Sequence, residues 1–250
     1  LLVLLLAGCA PDAHVPDFAK RPYEPFARSA AVAIALREWR LFGAAVEDAD
    51  VPPQPRPPPD QRPEREQGLW QRVGEYWWLG MDAGTPDSAL TGKHDQAGQV
   101  FPADEDGRFA WSAAFICYVM RMAGAGGGFP YAPAHAAYIN AARRGLGVVR
   151  AEAPETYAPM PGDLICTGRG PARAMRFADL PTAGFFPAHC AIVVATTPGS
   201  LSVVGGNVRD SVELTQVPTT PDGRLAEADG TIVDPHTPWF VVIRILYAAE

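Results

Sequence analysis

The segment RFAWSAAFICYVMRMAG, residues 108–124, restricts the possible folds more than any other stretch of the chain. Read as a helix, it carries one charge in its interior, Arg121, and is apolar around nearly its whole circumference. A helix on a surface keeps a polar face toward water, so this one must be enclosed by neighbours. Gly124 and the glycines after it end the helix. The enclosing layers have to come from the rest of the chain. At 250 residues there is enough for one good-sized core with appended helices, rather than two full domains.

Upstream, FARSAAVAIALREWRLFGAA (26–45) is alanine-rich with apolar residues at helical spacing and predicts a helix, bounded within residues 23–48. VPPQPRPPPDQRP (51–63) cannot be helix or interior strand, because proline fixes φ and lacks a donor. It predicts an extended, solvated linker over residues 49–64, a spacer rather than a partner motif. REQGLWQRVGEYWWLGM (65–81) predicts a second helix, heavy with aromatics that need a core, and PYAPAHAAYINAARRG (130–145) a further short one. From residue 148 the pattern changes. GDLICTG (162–168), HCAIVVATT (189–197), SLSVVGG (200–206), SVELTQV (211–217) and WFVVIRILY (239–247) are short, β-branched and bounded by turn residues. Helices first and strands second make an α+β domain over residues 65–250, with helices packed on one face of an antiparallel sheet. Proline and glycine, 26 and 24 residues, imply many turns and irregular connections.

The net charge of −7 argues against nucleic-acid binding, which needs clustered Lys and Arg. The N-terminal LLVLLLAGCA is too short to span a bilayer, which takes about 20 apolar residues. It looks like the end of a secretory signal over residues 1–9. LAGC resembles a bacterial lipobox, which implies lipidation of Cys9; a plain signal peptide with a chance cysteine is the alternative. Ala10 in place of Asp after that cysteine implies an outer-membrane lipoprotein facing the periplasm, with residues 10–22 as a tether. Cys117, Cys166 and Cys190 then remain, which in an oxidising compartment allows one disulfide at most.

The first turn of a buried helix favours a nucleophile, because its unpaired N–H groups and its dipole stabilise negative charge. The residue at that turn is Ser112. WSAAFICYVM, PGDLIC (161–166), AHCAIVV (188–194) and GGNVRDSV (205–212) follow in the order seen in CHAP-type and NlpC-type cell-wall peptidases. The chain resembles a bacterial relative of these peptidases, domain-of-unknown-function family 2272, with Ser after the Trp. The resemblance covers roughly residues 65–247 and implies a papain-like fold. It also implies Ser112 as nucleophile, His189 as base and Asn207 as the residue that orients the base. Two departures stand out: the peptidases have Cys where this chain has Ser112, and an acidic residue is common where it has Gly205.

Cys117 cannot replace the missing thiol. Five residues along an α-helix turn it by about 140° and raise it by about 7.5 Å. Cys190 lies on the strand face opposite His189. It either pairs with Cys166, whose strand is its neighbour in the family fold, or both are separate buried thiols. A serine hydroxyl needs a base, since dipole effects of ~1 kcal/mol cannot ionise it. The catalytic reading therefore requires His189 within hydrogen-bond distance of Ser112. Without catalysis, Ser112 is a helix N-cap. Trp111, His135 and Asp163 are candidate substrate-binding residues. Each also has a structural alternative: Trp111 in the core, His135 at the surface or as a cap, Asp163 in a turn. Trp70, Trp77 and Trp78 are ambiguous between core and a glycan platform. No metal-ligand spacing, phosphate loop or dinucleotide fingerprint appears, so no metal or cofactor is expected. Two functions follow as expectations: an amide-bond hydrolase acting on peptidoglycan or a related acyl substrate, or an inactive cell-wall or protein-binding module of the same fold. A weaker third is a purely structural lipoprotein.

Overall fold

A computed structural model describes residues 26–47, 55, 57–81 and 85–247. Cys9, the signal end and the tether lie outside the described residues. The described residues contain four α-helices: α1 (Arg28–Leu41), α2 (Leu69–Gly80), α3 (Ser112–Met122) and α4 (His135–Arg143). Seven strands make one sheet: β1 (Val46–Glu47), β2 (Val149–Glu152), β3 (Leu164–Gly168), β4 (Ala188–Thr197), β5 (Ser200–Val208), β6 (Ser211–Pro218) and β7 (Trp239–Ile245). Their order across the sheet is β1-β6-β5-β4-β3-β7-β2. The class is α+β, but the sheet is mixed rather than antiparallel, because β1 pairs in parallel with β6. Neither β1 nor β2 stands out in the sequence. Two residues show no period, and the four of β2 include Arg150 and Glu152.

Helix α3 is enclosed as its composition requires. Every residue from Ser112 to Met120 is buried, against α1 and α2 on one side and β4 and β5 on the other. The approach to the sheet is close at Gly206, where a β-carbon would stand 2.5 Å from Phe115 and 2.9 Å from Trp111. Any larger residue there would push α3 off the sheet. Strand alternation sorts the side chains. Cys166, Cys190, Ile192 and Val204 face the helices. Ile165, Ala191, Val193 and Val203 face a smaller core on the far side, closed by Leu225 and Tyr157. With both faces covered, the central strands read as continuous apolar runs.

Polar contacts fix the outer helices. Glu38 of α1 is fully buried; Arg72 of α2 contacts it with two nitrogens, and the Tyr76 hydroxyl donates to it at 2.7 Å. Arg72 also donates to the Tyr118 hydroxyl on α3, so one guanidinium ties three helices. Arg28 of α1 donates to Asp163 at 2.9 Å, joining the helix to the entry of β3. The proline-rich stretch is exposed over residues 57–61 but does not remain a solvated spacer to residue 64. Glu64 and Arg65 are buried there, and Arg65 pairs with Asp106 at 2.6 Å.

Breaking a buried ion pair leaves one charge uncompensated. Glu38→Ala should therefore lower the unfolding free energy in urea by about 3–5 kcal/mol. The joint change Glu38→Leu with Arg72→Met should cost clearly less. Equal losses would show that the charges themselves do not carry the contact.

Candidate functional site

Ser112 is the first helical residue of α3, with Trp111 as its N-cap. His135 is the first helical residue of α4. Residues 123–134 link the two helices, and the segment passes the middle of α3, where the Cys117 thiol contacts the Ala132 carbonyl at 3.5 Å. The helix starts thereby meet, and Ser112 Oγ lies 2.6 Å from His135 Nε2. Ser112 is thus not an N-cap, since its hydroxyl engages a histidine instead of a first-turn N–H. Both residues line a cleft of about 620 Å³, walled also by Arg169, Phe186, Asn207 and Arg209. Three residues after His135 on the same helix face, the Tyr138 hydroxyl meets the other ring nitrogen, Nδ1.

This environment keeps the imidazole neutral. Burial, followed by the positive field of Arg169, pushes His135 down to about 3. Tyr138 is fully buried, and burial holds its phenol well above the ordinary tyrosine value, so it keeps its proton. Its one acceptor among the described residues is His135 Nδ1. A buried hydroxyl with a single acceptor donates to it, since a stranded O–H costs about 1–3 kcal/mol. The resting tautomer then has Tyr138 donating to Nδ1, and Nε2–H donating to Ser112 Oγ.

The expected residues distribute differently. His189 does not reach Ser112, because it stands on the sheet face opposite Cys190, and Cys190 faces the helices. Its ring approaches that of His135 edge-on at 5.5 Å, at the start of β4. Burial, then Arg169 and His135, hold His189 well below the ordinary histidine value, and its Nδ1 has no hydrogen-bond partner. Gly205 leaves room for the ring, since a β-carbon there would sit 2.8 Å from Nε2. Asn207 lines the cleft in a left-handed conformation, φ +56°, and bonds to neither histidine.

Trp111 and Asp163 prove structural. Trp111 is 1% exposed and packs on Phe42 and Tyr76. Asp163 is fully buried beneath Arg28, Tyr157 and the backbone N–H groups of Met160 and Ile245. Trp77 is buried and lines the cleft, whereas Trp78 is exposed. Cys166 and Cys190 form a disulfide between paired positions of β3 and β4, and Cys117 is buried outside that bridge.

The sequence reading passed over Tyr138, Arg169 and Arg209. For Tyr138 a signal was present, since HAAY puts an aromatic hydroxyl one helical turn after a histidine. Arg169 sits in a loop with no motif of its own, and Arg209 lies within GGNVRDSV, in the turn between β5 and β6.

A second group supports the site from behind. Trp111 Nε1 donates to Glu64 Oε2 at 2.6 Å, and the other oxygen, Oε1, accepts no hydrogen bond. Burial raises Glu64 to about 8 despite the Trp111 bond, and the carboxylates of Asp210 and Asp106 add to the rise.

Two opposite pH dependences follow. A carboxyl raised in the folded state contributes stability that is present below its unfolded value near 4.5 and lost as pH rises through about 8. Glu64→Gln should therefore hold its Tm between pH 5 and 8, where the parent declines. Histidines lowered in the folded state contribute stability that is present above their unfolded value near 6.5 and lost below it. Between pH 6.5 and 5 His135 alone should cost about 1.4 kcal/mol per pH unit, and His189 acts in the same direction. Thermal unfolding of His189→Gln should show a shallower acid slope than the parent. An unchanged slope would mean that His189 titrates normally.

No group of residues with metal-holding geometry occurs among the described residues, and no described helix is long and apolar enough to cross a membrane. A family model described as "uncharacterized protein conserved in bacteria" matches residues 64–245. No curated protein and no solved structure matches the chain.

Proposed function

The chain belongs to that family, DUF2272, and we propose that its cleft hydrolyses or transfers amide bonds in peptidoglycan or a related acyl substrate. Ser112 is the nucleophile and His135, in place of His189, its proton acceptor. The observation that carries this reading is the 2.6 Å contact between Ser112 Oγ and His135 Nε2 on the wall of an open cleft. Ser112 Oγ attacks the carbonyl carbon while Nε2 takes its proton and later returns it to the leaving nitrogen. First-turn N–H groups of α3 are the donors available to the developing oxyanion.

The tautomer sets the speed. For Nε2 to accept a proton, Nδ1 must carry one, and Tyr138 must turn from donor to acceptor. Among the described residues no carboxylate acts on the ring to support an imidazolium, and Arg169 opposes it. Turnover is slow on this account. The same features favour a second reading, an inactive module that binds an envelope ligand in the same cleft.

The papain-like relationship to CHAP-type and NlpC-type enzymes belongs to this proposal, supported by a buried helix that opens on the nucleophile position and packs on β4 and β5. So does the location, an outer-membrane lipoprotein anchored through Cys9 and facing the periplasm. The Cys166–Cys190 bond supports an oxidising compartment.

The test is incubation of the full chain and of Ser112→Ala with purified sacculi, with released fragments identified by mass spectrometry. Fragments from the parent alone would establish a serine-dependent hydrolase and name the bond. No fragments from either, with protein still pelleting on sacculi, would leave the binding module. In the hydrolase case the rate should hold as pH falls from 8 to 5, because the ring stays neutral above about 3 and the balance between its two neutral tautomers does not change with pH.

A further inference from the structure

Helices α3 and α4 start together at the cleft, where Ser112 meets His135, and they also end together. Beyond the end of α3, the Gly128 carbonyl accepts a hydrogen bond at 3.2 Å from the N–H of Val148, which follows the turn closing α4. The Val148 carbonyl accepts from the Leu246 N–H at 2.8 Å, and the Tyr247 hydroxyl donates to the Ala125 carbonyl. The Ala27 N–H, just before α1, donates to the Ala123 carbonyl at 3.3 Å. Residues 26–27, 122–128, 145–148 and 246–247 therefore form one pole of the body. Helix α3 has 11 residues, so this pole lies about 16 Å from Ser112 along the helix axis.

Three large apolar side chains stand in water at this pole: Leu146, Met122 and Leu246 are 54%, 51% and 41% exposed. One exposed leucine means little, but three on segments tied together by hydrogen bonds point to an interaction surface. Charge indicates its partner. The whole chain carries −7, yet residues 121–151 contain four arginines and no Asp or Glu. Arg143 and Arg144 close α4 and are exposed, and their hydrogen bonds go to the carbonyls of Leu180 and Thr182, which do not neutralise a guanidinium. Apolar side chains bordered by cations suit the interface of an anionic bilayer. The route of the chain selects lipid over a protein partner. Phe26 stacks on Tyr247 at this pole, ring centroids 4.5 Å apart, so the stretch from Cys9 joins the body here. Whatever holds Cys9 at a bilayer draws this pole toward it.

We propose that this pole is a membrane-facing surface: Met122, Leu146 and Leu246 enter the headgroup region of an anionic bilayer, Arg143 and Arg144 contact its phosphates, and the Ser112 cleft opens on the side away from it. The inference deepens the location reading, which supplies the anchor at Cys9; contact of the pole with lipid does not itself require lipidation.

The experiment uses the full chain with Cys9→Ser, so that a polarity-sensitive fluorophore labels only a thiol introduced by Leu146→Cys at the pole or Phe185→Cys at the cleft. Cys117 is buried, and Cys166 and Cys190 are bonded to each other. Both labelled positions are exposed, so neither change threatens the fold. The probes are vesicles of phosphatidylglycerol with phosphatidylethanolamine, and vesicles of phosphatidylcholine alone. On the anionic vesicles the label at position 146 should brighten and be quenched by brominated acyl chains, while the label at position 185 keeps its emission in water. Arg144→Gln should weaken partition to the anionic vesicles about five-fold and leave partition to phosphatidylcholine unchanged. No binding, both labels in water, or quenching at position 185 instead would overturn the membrane-facing pole. Partition indifferent to Arg144→Gln, or weakened equally on both vesicles, would overturn the phosphate contact. Lipidation is a separate result, read from the mass of the parent extracted from bacterial membranes: an unmodified Cys9 would remove the anchor and leave the pole's contact with lipid standing.

Discussion

The contact between α3 and the sheet at Gly206 sets the position of nearly everything else. Because no side chain stands between them, Phe115 and Trp111 rest directly on β5. That fixes the start of α3, and with it Ser112, at the mouth of the cleft. Ions and hydroxyls then hold the outer layer against the same helix, through Glu38, Arg72 and Tyr118. Trp111 extends the support to Glu64, whose neighbours Arg62 and Asp210 form an ion pair at 3.2 Å. Asp210 lies on the cleft rim, so packing behind the serine and the shape of the rim in front of it are mechanically linked.

Much of this was legible in the sequence. The all-round apolar character of residues 109–120 announces enclosure before any neighbour is known. The five longer strands declare themselves through β-branched runs and turn residues. The choice of histidine was not legible. Alternation says that His189 and Cys190 face opposite ways, but not which of them faces the helix. That depends on which strand face the helices cover, a tertiary fact expressed in the disulfide and in Ile192. His135 had the opposite difficulty, since a loop-to-helix histidine carries no pattern until the return segment brings it to Ser112. Parallel β1 and the burial of Glu64 after a proline run were likewise beyond local rules, because long-range pairing decides both.

The electrostatics of the site are consistent among themselves. Two buried histidines share the field of Arg169, and each is held neutral. A guanidinium beside neutral imidazoles suits a site that receives negative charge more than one that generates a cation. The Ser112–His135 pair therefore works against its surroundings when it moves a proton, and with them when it holds an anion. Which balance prevails depends on the hydroxyl of Tyr138, one buried group whose hydrogen fixes the tautomer of the ring.

Helix α1 has a further consequence. Arg28 is held by Asp163 and by the carbonyls of Pro161 and Ile245, and Phe26 just before it is buried on Tyr247, so the chain is fastened to the body from residue 26. Only residues 10–25 separate that fixed point from Cys9. Fully extended, such a stretch reaches about 60 Å. On the proposed lipidation of Cys9, that length is the upper bound on how far the body stands from the bilayer, so distance from the membrane, as much as chemistry, would determine what the protein can meet.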